Sequence, residues 1–346
     1  MRKSQWEQIL KAARGEPQPA VPAAFIADSP WIPPYLSIST VDYIAEPETW
    51  LNANLTVMNR FPEAVFLPGF WVEPGMAAEP SGFGCPVSFS DAQPPSIHPI
   101  GDDIADLDDL QPPNPLSDGL MPLVLSHYRH AVPRVRALGM DIKIAAVRGP
   151  LALAAHLIGL TAFLVGLKTE PARTARLLDV TTRAVKEWLD AQLQVLPGAE
   201  GVLVLDDVVG FLSRDDYREF AHPHLKDVFN VKAAVKAYHN DADSSVCYEF
   251  LHDLGVNVFN FTHLRDIQTV RGLVGDNVCL MGNVPPLDVL AQGTREESGA
   301  RARACLNANK GHPAFMLSAG GGVSPGTPGE NLKAVIEAAR NGASGA

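Results

Sequence analysis

Val202-Leu-Val-Leu-Asp-Asp207 is a short, uninterrupted apolar run that ends in two carboxylates. A half-exposed strand alternates apolar and polar residues. A run with no alternation fits a strand buried on both faces, as in a parallel sheet covered by helices. Seven more runs of this kind flank it: Ala23–Ile26, Ala64–Leu67, Ile142–Val147, Ala234–Tyr238, Val256–Asn260, Val278–Met281 and Ala314–Leu317. Helical patterns lie between them. Trp6 to Ala13 is amphipathic and stops at Gly15-Glu16-Pro17. Arg173 to Leu196 sets Leu178, Thr181, Val185, Leu189 and Leu196 along one side and ends at Pro197-Gly198. Ser213 to Asp216, Thr294 to Glu297 and Thr327 to Glu330 read as capping boxes, with Pro328 at a first helical position. Eight buried strands alternating with helices predict one α/β domain over residues 1–346, a single (β/α)8 barrel.

One stretch departs from this rhythm. Residues 70–140 are rich in Pro and Gly, carry the acidic run from Asp102 to Asp109, and end in a predicted helix from Pro122 to Ala137. They read as an insertion after the second strand, since a connection that long in a compact domain is usually functional. The acidic run reads as a solvated face.

Composition narrows the functional classes. Forty-six per cent hydrophobic residues in a chain of 346 suffice for a real core without metal or disulfide staples. A net charge of −11 with no basic cluster argues against a nucleic-acid or anionic-membrane partner. Cys85, Cys247, Cys279 and Cys305 are scattered, which suggests a reducing, cytoplasmic setting, and Cys247 and Cys279, away from the mouth, are expected to be inert buried thiols. The most apolar stretch, Leu151 to Leu167, contains His156 and falls short of the roughly 20 residues of a membrane span, so it is expected to be a core helix. The N-terminus has no apolar signal core.

In such a barrel the active site lies beyond the C-terminal ends of the strands. The residues just past the eight runs are Asp28; Gly69, Trp71 and Glu73; Arg148; Asp206 and Asp207; His239 and Asp241; Asn260 and His263; Gly282 and Asn283; and Ser318 with Gly320-Gly321-Gly322. So many polar groups at one mouth predict a small-molecule site. His239-Asn240-Asp241 admits three readings: two ligands for one metal, a histidine–carboxylate acid/base pair, or a loop-bonding histidine with Asp241 as a helix cap. Of Asp206 and Asp207, adjacent residues that cannot both point inward, one is expected to face the site and the other to bond backbone. The glycine run lets backbone approach a ligand or form a tight turn.

At these residues the chain resembles the uroporphyrinogen decarboxylase superfamily of (β/α)8 barrels. The resemblance is carried by Arg148-Gly-Pro-Leu151, Leu205-Asp-Asp-Val-Val-Gly-Phe-Leu-Ser213 with Glu219-Phe-Ala-His-Pro223, the His239 loop, Leu280-Met-Gly-Asn-Val-Pro-Pro286, and the stretch from Ser318 through Gly320-Gly321-Gly322 to Asn331. The superfamily contains the heme-pathway decarboxylase and methyltransferases that move methyl groups between corrinoid proteins, methylated substrates and thiols. The decarboxylase carries an arginine after its first strand, where this chain has Ala27-Asp28-Ser-Pro-Trp31-Ile-Pro-Pro34. Its aspartate after the second strand falls at Gly69, and its histidine in the last glycine loop at Gly321. An octa-anionic tetrapyrrole would therefore lose the cations that grip it. Zinc-dependent methyltransferases of the superfamily use His-x-Cys and a later Cys. Here His239 is kept, while the two cysteine positions are Asp241 and Gly321.

The resemblance implies a divergent member closer to the methyltransferase branch. The expected activity is methyl transfer between a small methylated compound and a corrinoid protein or thiol. Asp207, His239 and Asp241 are the expected catalytic residues, and His239 and Asp241 the expected ligands of a zinc ion, with Asp207 or Glu73 as the third. Trp31, Trp71, Glu73, Arg148, His156, Asn260, Asn283 and Gly321 are expected to bind substrate. Asp207, His239 and Asn283 are expected to converge on one cavity. A separate corrinoid protein and a second copy of the chain, as a homodimer, are the expected partners. The alternatives are decarboxylation of a smaller carboxylate held by Arg148, and a barrel that binds a ligand without turnover.

Overall fold

All eight apolar runs form parallel strands in the computed structural model, which describes residues 1–341. In chain order the strands are β1 (Ala24–Ile26), β2 (Val65–Leu67), the short pair β3 (Val87–Ser88) and β4 (Ser96–Ile97), β5 (Ile144–Arg148), β6 (Gly201–Leu205), β7 (Val235–Asn240), β8 (Val258–Phe261), β9 (Cys279–Val284) and β10 (Phe315–Ala319). β5 to β10 make a six-stranded parallel sheet in sequence order. β1 pairs with β2 in parallel, and bridges at Ala23–Leu317 and Ile26–Gly322 tie the β1 edge to the β10 edge. Among the described residues no ladder joins β2 to β5.

Side-chain alternation decides what each strand buries on which side. One set, Ala24 and Ile26, Val65 and Leu67, Ile144 and Ala146, Leu203 and Leu205, Val235 and Ala237, Val258, Cys279 and Met281, and Met316, forms a single inner cluster fed by all eight parallel strands. The intervening residues, such as Phe25, Val204, Tyr238 and Phe259, pack outward against the helices. The amphipathic helix Lys3–Ala13 covers one end of the inner cluster with Trp6 and Ile9. Trp6 Nε1 donates to Glu200, just before β6, so this is the end where the strands begin. Polar groups are left for the other end.

The long helix is Pro171–Val195, and its predicted stripe of Leu178, Thr181, Val185 and Leu189 is buried. Trp188 on the same helix is 2% exposed. Burying each large apolar side chain of this kind contributes about 1.5–3 kcal/mol.

Three local expectations need correction. Leu151 to Leu167 is two helices, Pro150–Ile158 and Leu160–Thr169, bent by 106° about Gly159. Gly159 has φ +83, a left-handed conformation that interrupts the helix and that a side chain would resist. Among the described residues no single helix is long and apolar enough to cross a membrane. Of the three expected capping boxes, the one at Thr294–Glu297 forms fully. Ser213 caps through its hydroxyl alone, and the Thr327 hydroxyl donates to the Ser324 carbonyl because the helix starts later, at Gly329.

The segment from 70 to 140 holds the helix Ala78–Gly82, the β3–β4 hairpin, a turn at Ile104–Leu107 and the helix Met121–Ala137. Its acidic run is mostly exposed, and Asp108 pairs with Arg173 and Arg176 on the long helix.

Candidate active site

β6 and β7 run side by side, with Leu205 opposite His239. His239 follows Val235 and Ala237 on the inward face of β7, and its side chain is 8% exposed. Where the two strands end, Asp207 and Asp241 flank the ring. Nε2 of His239 lies 3.6 Å from an oxygen of Asp207 and 3.9 Å from one of Asp241. The Asp241 amide donates to Asp207 at 3.0 Å, which locks the two turns together. Both aspartate side chains are about two-fifths exposed, at 42% and 41%, so the cluster opens to solvent on their side.

The partner of Asp207 has a different task. Asp206 is fully buried, and its carboxylate accepts from the amides of Leu151 and Ala152, both at 3.0 Å, at the start of Pro150–Ile158. A Cβ at Gly149 would come within 2.2 Å of that carboxylate, so only glycine leaves room for it. The Asp206 carbonyl accepts from Tyr238 and Asn240 on β7. One aspartate thus holds the scaffold and the next reaches the mouth.

On the far side of the ring, Nδ1 of His239 meets Oδ1 of Asn260 at 2.7 Å. Burial would discharge the imidazole, but Asp207, Asp241 and Asn260 outweigh it and raise the ring's pKa above its ordinary value. Asp241 is also raised, by burial first and by Asp207, with His239 and His263 opposing.

Gly321 backs this cluster. Its φ is +127, and a Cβ there would lie 2.4 Å from the Asp241 carboxylate. Asp241 therefore occupies the volume that any side chain at 321 would need. Gly69 is similarly constrained: φ is +70 and a Cβ would meet the Phe66 carbonyl oxygen at 2.7 Å. Gly69 cannot give way to an aspartate without rebuilding the turn after β2.

A second charged cluster lies past β1, β2 and β5. Arg148 and Glu73 form an ion pair at 3.3 Å with side chains 6% and 5% exposed. Glu73 also accepts from the Ser29 hydroxyl at 2.8 Å and from the amides of Gly75 and Met76. Arg148 lies 6.0 Å from the centre of the Trp71 ring, and its own amide donates to Glu79 at 2.9 Å. Asp28, at the end of β1, is held well above the usual carboxylate range by burial and then by Glu73, against Arg148 and His239. Asp28 belongs to the mouth but stood out in the sequence only as one strand-end residue among many. His156 is half-buried nearby, and burial with help from Arg148 pushes it down to about 4, so it is neutral.

The structure brings Asp207, His239 and Asp241 together, with Asn260 behind the ring, and Trp71, Glu73 and Arg148 in the neighbouring cluster. It does not bring two others to the expected place. Trp31 is fully buried in the outer core, stacked on Tyr35 at 4.5 Å and donating to the Thr327 carbonyl, so it lines no pocket. Asn283 turns toward the loop after β8, where its amide donates to the carbonyls of Thr262 and Arg265 at 3.2 and 2.6 Å, so it does not converge with Asp207 and His239. Glu73 has both oxygens filled by four donors, and it is not a third ligand beside His239. Gly321 contributes space for Asp241.

The donor set fits a divalent cation. Nε2 of His239 and one oxygen each of Asp207 and Asp241 lie within 4.8 Å of one another. Bonds of about 2.0–2.2 Å from nitrogen and oxygen to a common ion match the 3.6 and 3.9 Å contacts. Asn260 supplies the second-side partner that a metal-bound histidine regularly has. Cys85, Cys247, Cys279 and Cys305 are buried and absent from the cluster, so the set is nitrogen and oxygen.

The family model for uroporphyrinogen decarboxylase (URO-D) matches residues 4–342, and the chain belongs to this family. A uroporphyrinogen decarboxylase of Chlorobium luteolum is 32% identical over a stretch spanning 49% of each chain. One from Thermus thermophilus is 26% identical over 95% of this chain and 96% of its own. A methylated-thiol–coenzyme M methyltransferase of Methanosarcina mazei is 25% identical over 77% of this chain and 70% of its own. Among solved structures, a methyltransferase from Methanosarcina mazei superposes with a TM-score of 0.82 at 22% identity, covering 96% of this chain and 97% of its own.

Proposed function

We propose that the chain is a methyltransferase of this family, moving a methyl group between a small methylated compound and a corrinoid protein or a thiol. The observation that carries the reading is the open cluster of Asp207, His239 and Asp241, a buried ring nitrogen between two part-exposed carboxylates beside a buried ion pair. The Methanosarcina methyltransferase relative supports it. We read the eight parallel strands around one inner cluster as a (β/α)8 barrel with its site at the C-terminal end, residues 70–140 being an insertion.

In this proposal His239, Asp207 and Asp241 hold a zinc ion. When bound, such an ion lowers the pKa of a thiol or water beside it. The chain's own residues do the rest. Asn260 orients the His239 ring, Asp207 and Asp241 set negative charge beside Nε2, and Arg148 with Trp71 forms one wall. A tetrapyrrole is disfavoured as substrate, because Arg148, the arginine beside the cluster, is already neutralised by Glu73. The corrinoid would arrive on a separate protein, and the chain would act as a homodimer in the cytoplasm.

Purified protein supplied with zinc, a methylated corrinoid and a panel of methyl donors and thiol acceptors tests the reading. The expected result is methyl transfer that His239→Ala reduces by about 10²–10⁴-fold. No transfer across a broad panel would contradict it. The second reading, decarboxylation of a small carboxylate, is favoured by the Thermus relative, which aligns over 95% of this chain. It predicts chelator-insensitive release of carbon dioxide.

A further inference from the structure

Asn260 sits on the inward face of β8, two residues after Val258, and is 2% exposed. Its amide nitrogen donates to the carbonyls of Met281 on β9 and Ala319 on β10, at 2.9 and 3.1 Å. Carbonyl oxygens only accept, so the amide has one satisfactory orientation. Its Oδ1 must then face His239, 2.7 Å from Nδ1. An oxygen cannot donate, so Nδ1 must carry a proton. With Nδ1 protonated, the neutral ring keeps its lone pair on Nε2, the atom facing Asp207 and Asp241. The opposite tautomer would set a nitrogen lone pair against Oδ1. Turning the amide to relieve that would set Oδ1 against two carbonyls in a buried place, where unmet polar groups are costly.

We infer that Asn260 is a positioning residue that holds His239 as its Nδ1–H tautomer, anchored to β9 and β10 so that the Nε2 lone pair is aimed between Asp207 and Asp241. Three strands thereby fix one nitrogen. The tautomer itself follows from the hydrogen bonds alone. Its consequence for cation binding rests on the proposed reading of the site.

The test uses the full-length protein, labelled with ¹⁵N-histidine and free of metal, at a pH high enough to neutralise the ring. Signals lost in His239→Gln identify His239. The expected spectrum shows Nδ1 protonated and Nε2 bare, although a histidine side chain free in water favours the opposite form. A spectrum with Nε2 protonated would overturn the inference without any variant needing to fold. Two variants then separate positioning from scaffolding. Asn260→Ala removes the acceptor and should shift the ring toward the Nε2–H form, weakening Co²⁺ binding by about 10- to 100-fold. Asn260→Asp keeps an acceptor oxygen but loses both donors to β9 and β10. It should keep the Nδ1–H form and near-wild-type Co²⁺ affinity even where its melting temperature falls as far as that of Asn260→Ala. Equal loss of tautomer and affinity in both variants would make Asn260 structural and overturn the role. Failure of Co²⁺ to bind the wild type would sink the cation site, while the spectrum would still decide the tautomer.

Discussion

Two charged clusters share the C-terminal end of the strands, and they differ in what is left unused. In the Arg148–Glu73 cluster the opposite charges meet each other: Glu73 takes four donors, and the Arg148 charge is paired and lies beside the Trp71 ring. In the His239 cluster, Nε2 has two carboxylates nearby at 3.6 and 3.9 Å, too long for good hydrogen bonds, and the aspartates face water. The Glu73 carboxylate of the first cluster is fully used. The second has donor atoms turned toward a space that something else can fill. Exposure separates them too: the Glu73 and Arg148 side chains are 5% and 6% exposed, those of Asp207 and Asp241 42% and 41%.

This contrast sets the expected size of perturbations. The largest effect should come from the closed cluster: Glu73→Ala strands the Arg148 charge in a buried place and should cost about 3–5 kcal/mol, read by chemical denaturation. Next, zinc at about 100 times its Kd should stabilise the wild type by about 2.7 kcal/mol, and this shift should vanish in His239→Ala while Glu73→Ala keeps it. Asp206→Ala removes the acceptor for the Leu151 and Ala152 amides and should cost about 1 kcal/mol or more, with the helix start at Pro150 fraying in hydrogen exchange.

The smallest effects should have the opposite sign. Asp241→Asn relieves repulsion from Asp207 and should leave the metal-free protein as stable as the wild type or more so, in a thermal melt. A pH series sharpens the same point. The His239 pKa is raised in the folded protein. Its contribution to stability is therefore complete below the ring's ordinary value near 6.5 and fades as pH rises through the higher folded value. His239→Gln should flatten that part of the metal-free stability profile, and an unchanged profile would show that the aspartates do not hold the ring's charge.

The strands were legible because buried parallel strands leave continuous apolar runs, and all eight of those runs became strands. The split between Asp206 and Asp207 was legible too, since adjacent residues project in opposite directions. Side-chain direction within loops was not. Asn260 and Asn283 stand near the ends of neighbouring strands, yet one turns to His239 and the other to the carbonyls of Thr262 and Arg265. Nothing in either local sequence separates them. Glu73 is claimed by amides of its own loop, whose path depends on left-handed residues at Gly69, Phe70, Gly75 and Met76. Trp31 lies past a strand end but is drawn outward by Tyr35 and Phe61. The break at Gly159 turned one apolar stretch into two helices. Proximity in the chain nominated residues for the mouth, and packing decided which of them reached it.

The most direct measurement is a calorimetric titration of zinc into chelator-treated wild-type protein and into the Asp207→Asn/Asp241→Asn double variant. The account predicts one zinc bound per chain in the wild type and none at that affinity in a folded double variant. A wild type that binds no zinc, or a double variant that binds it equally well, would contradict the reading of this cluster as a cation site.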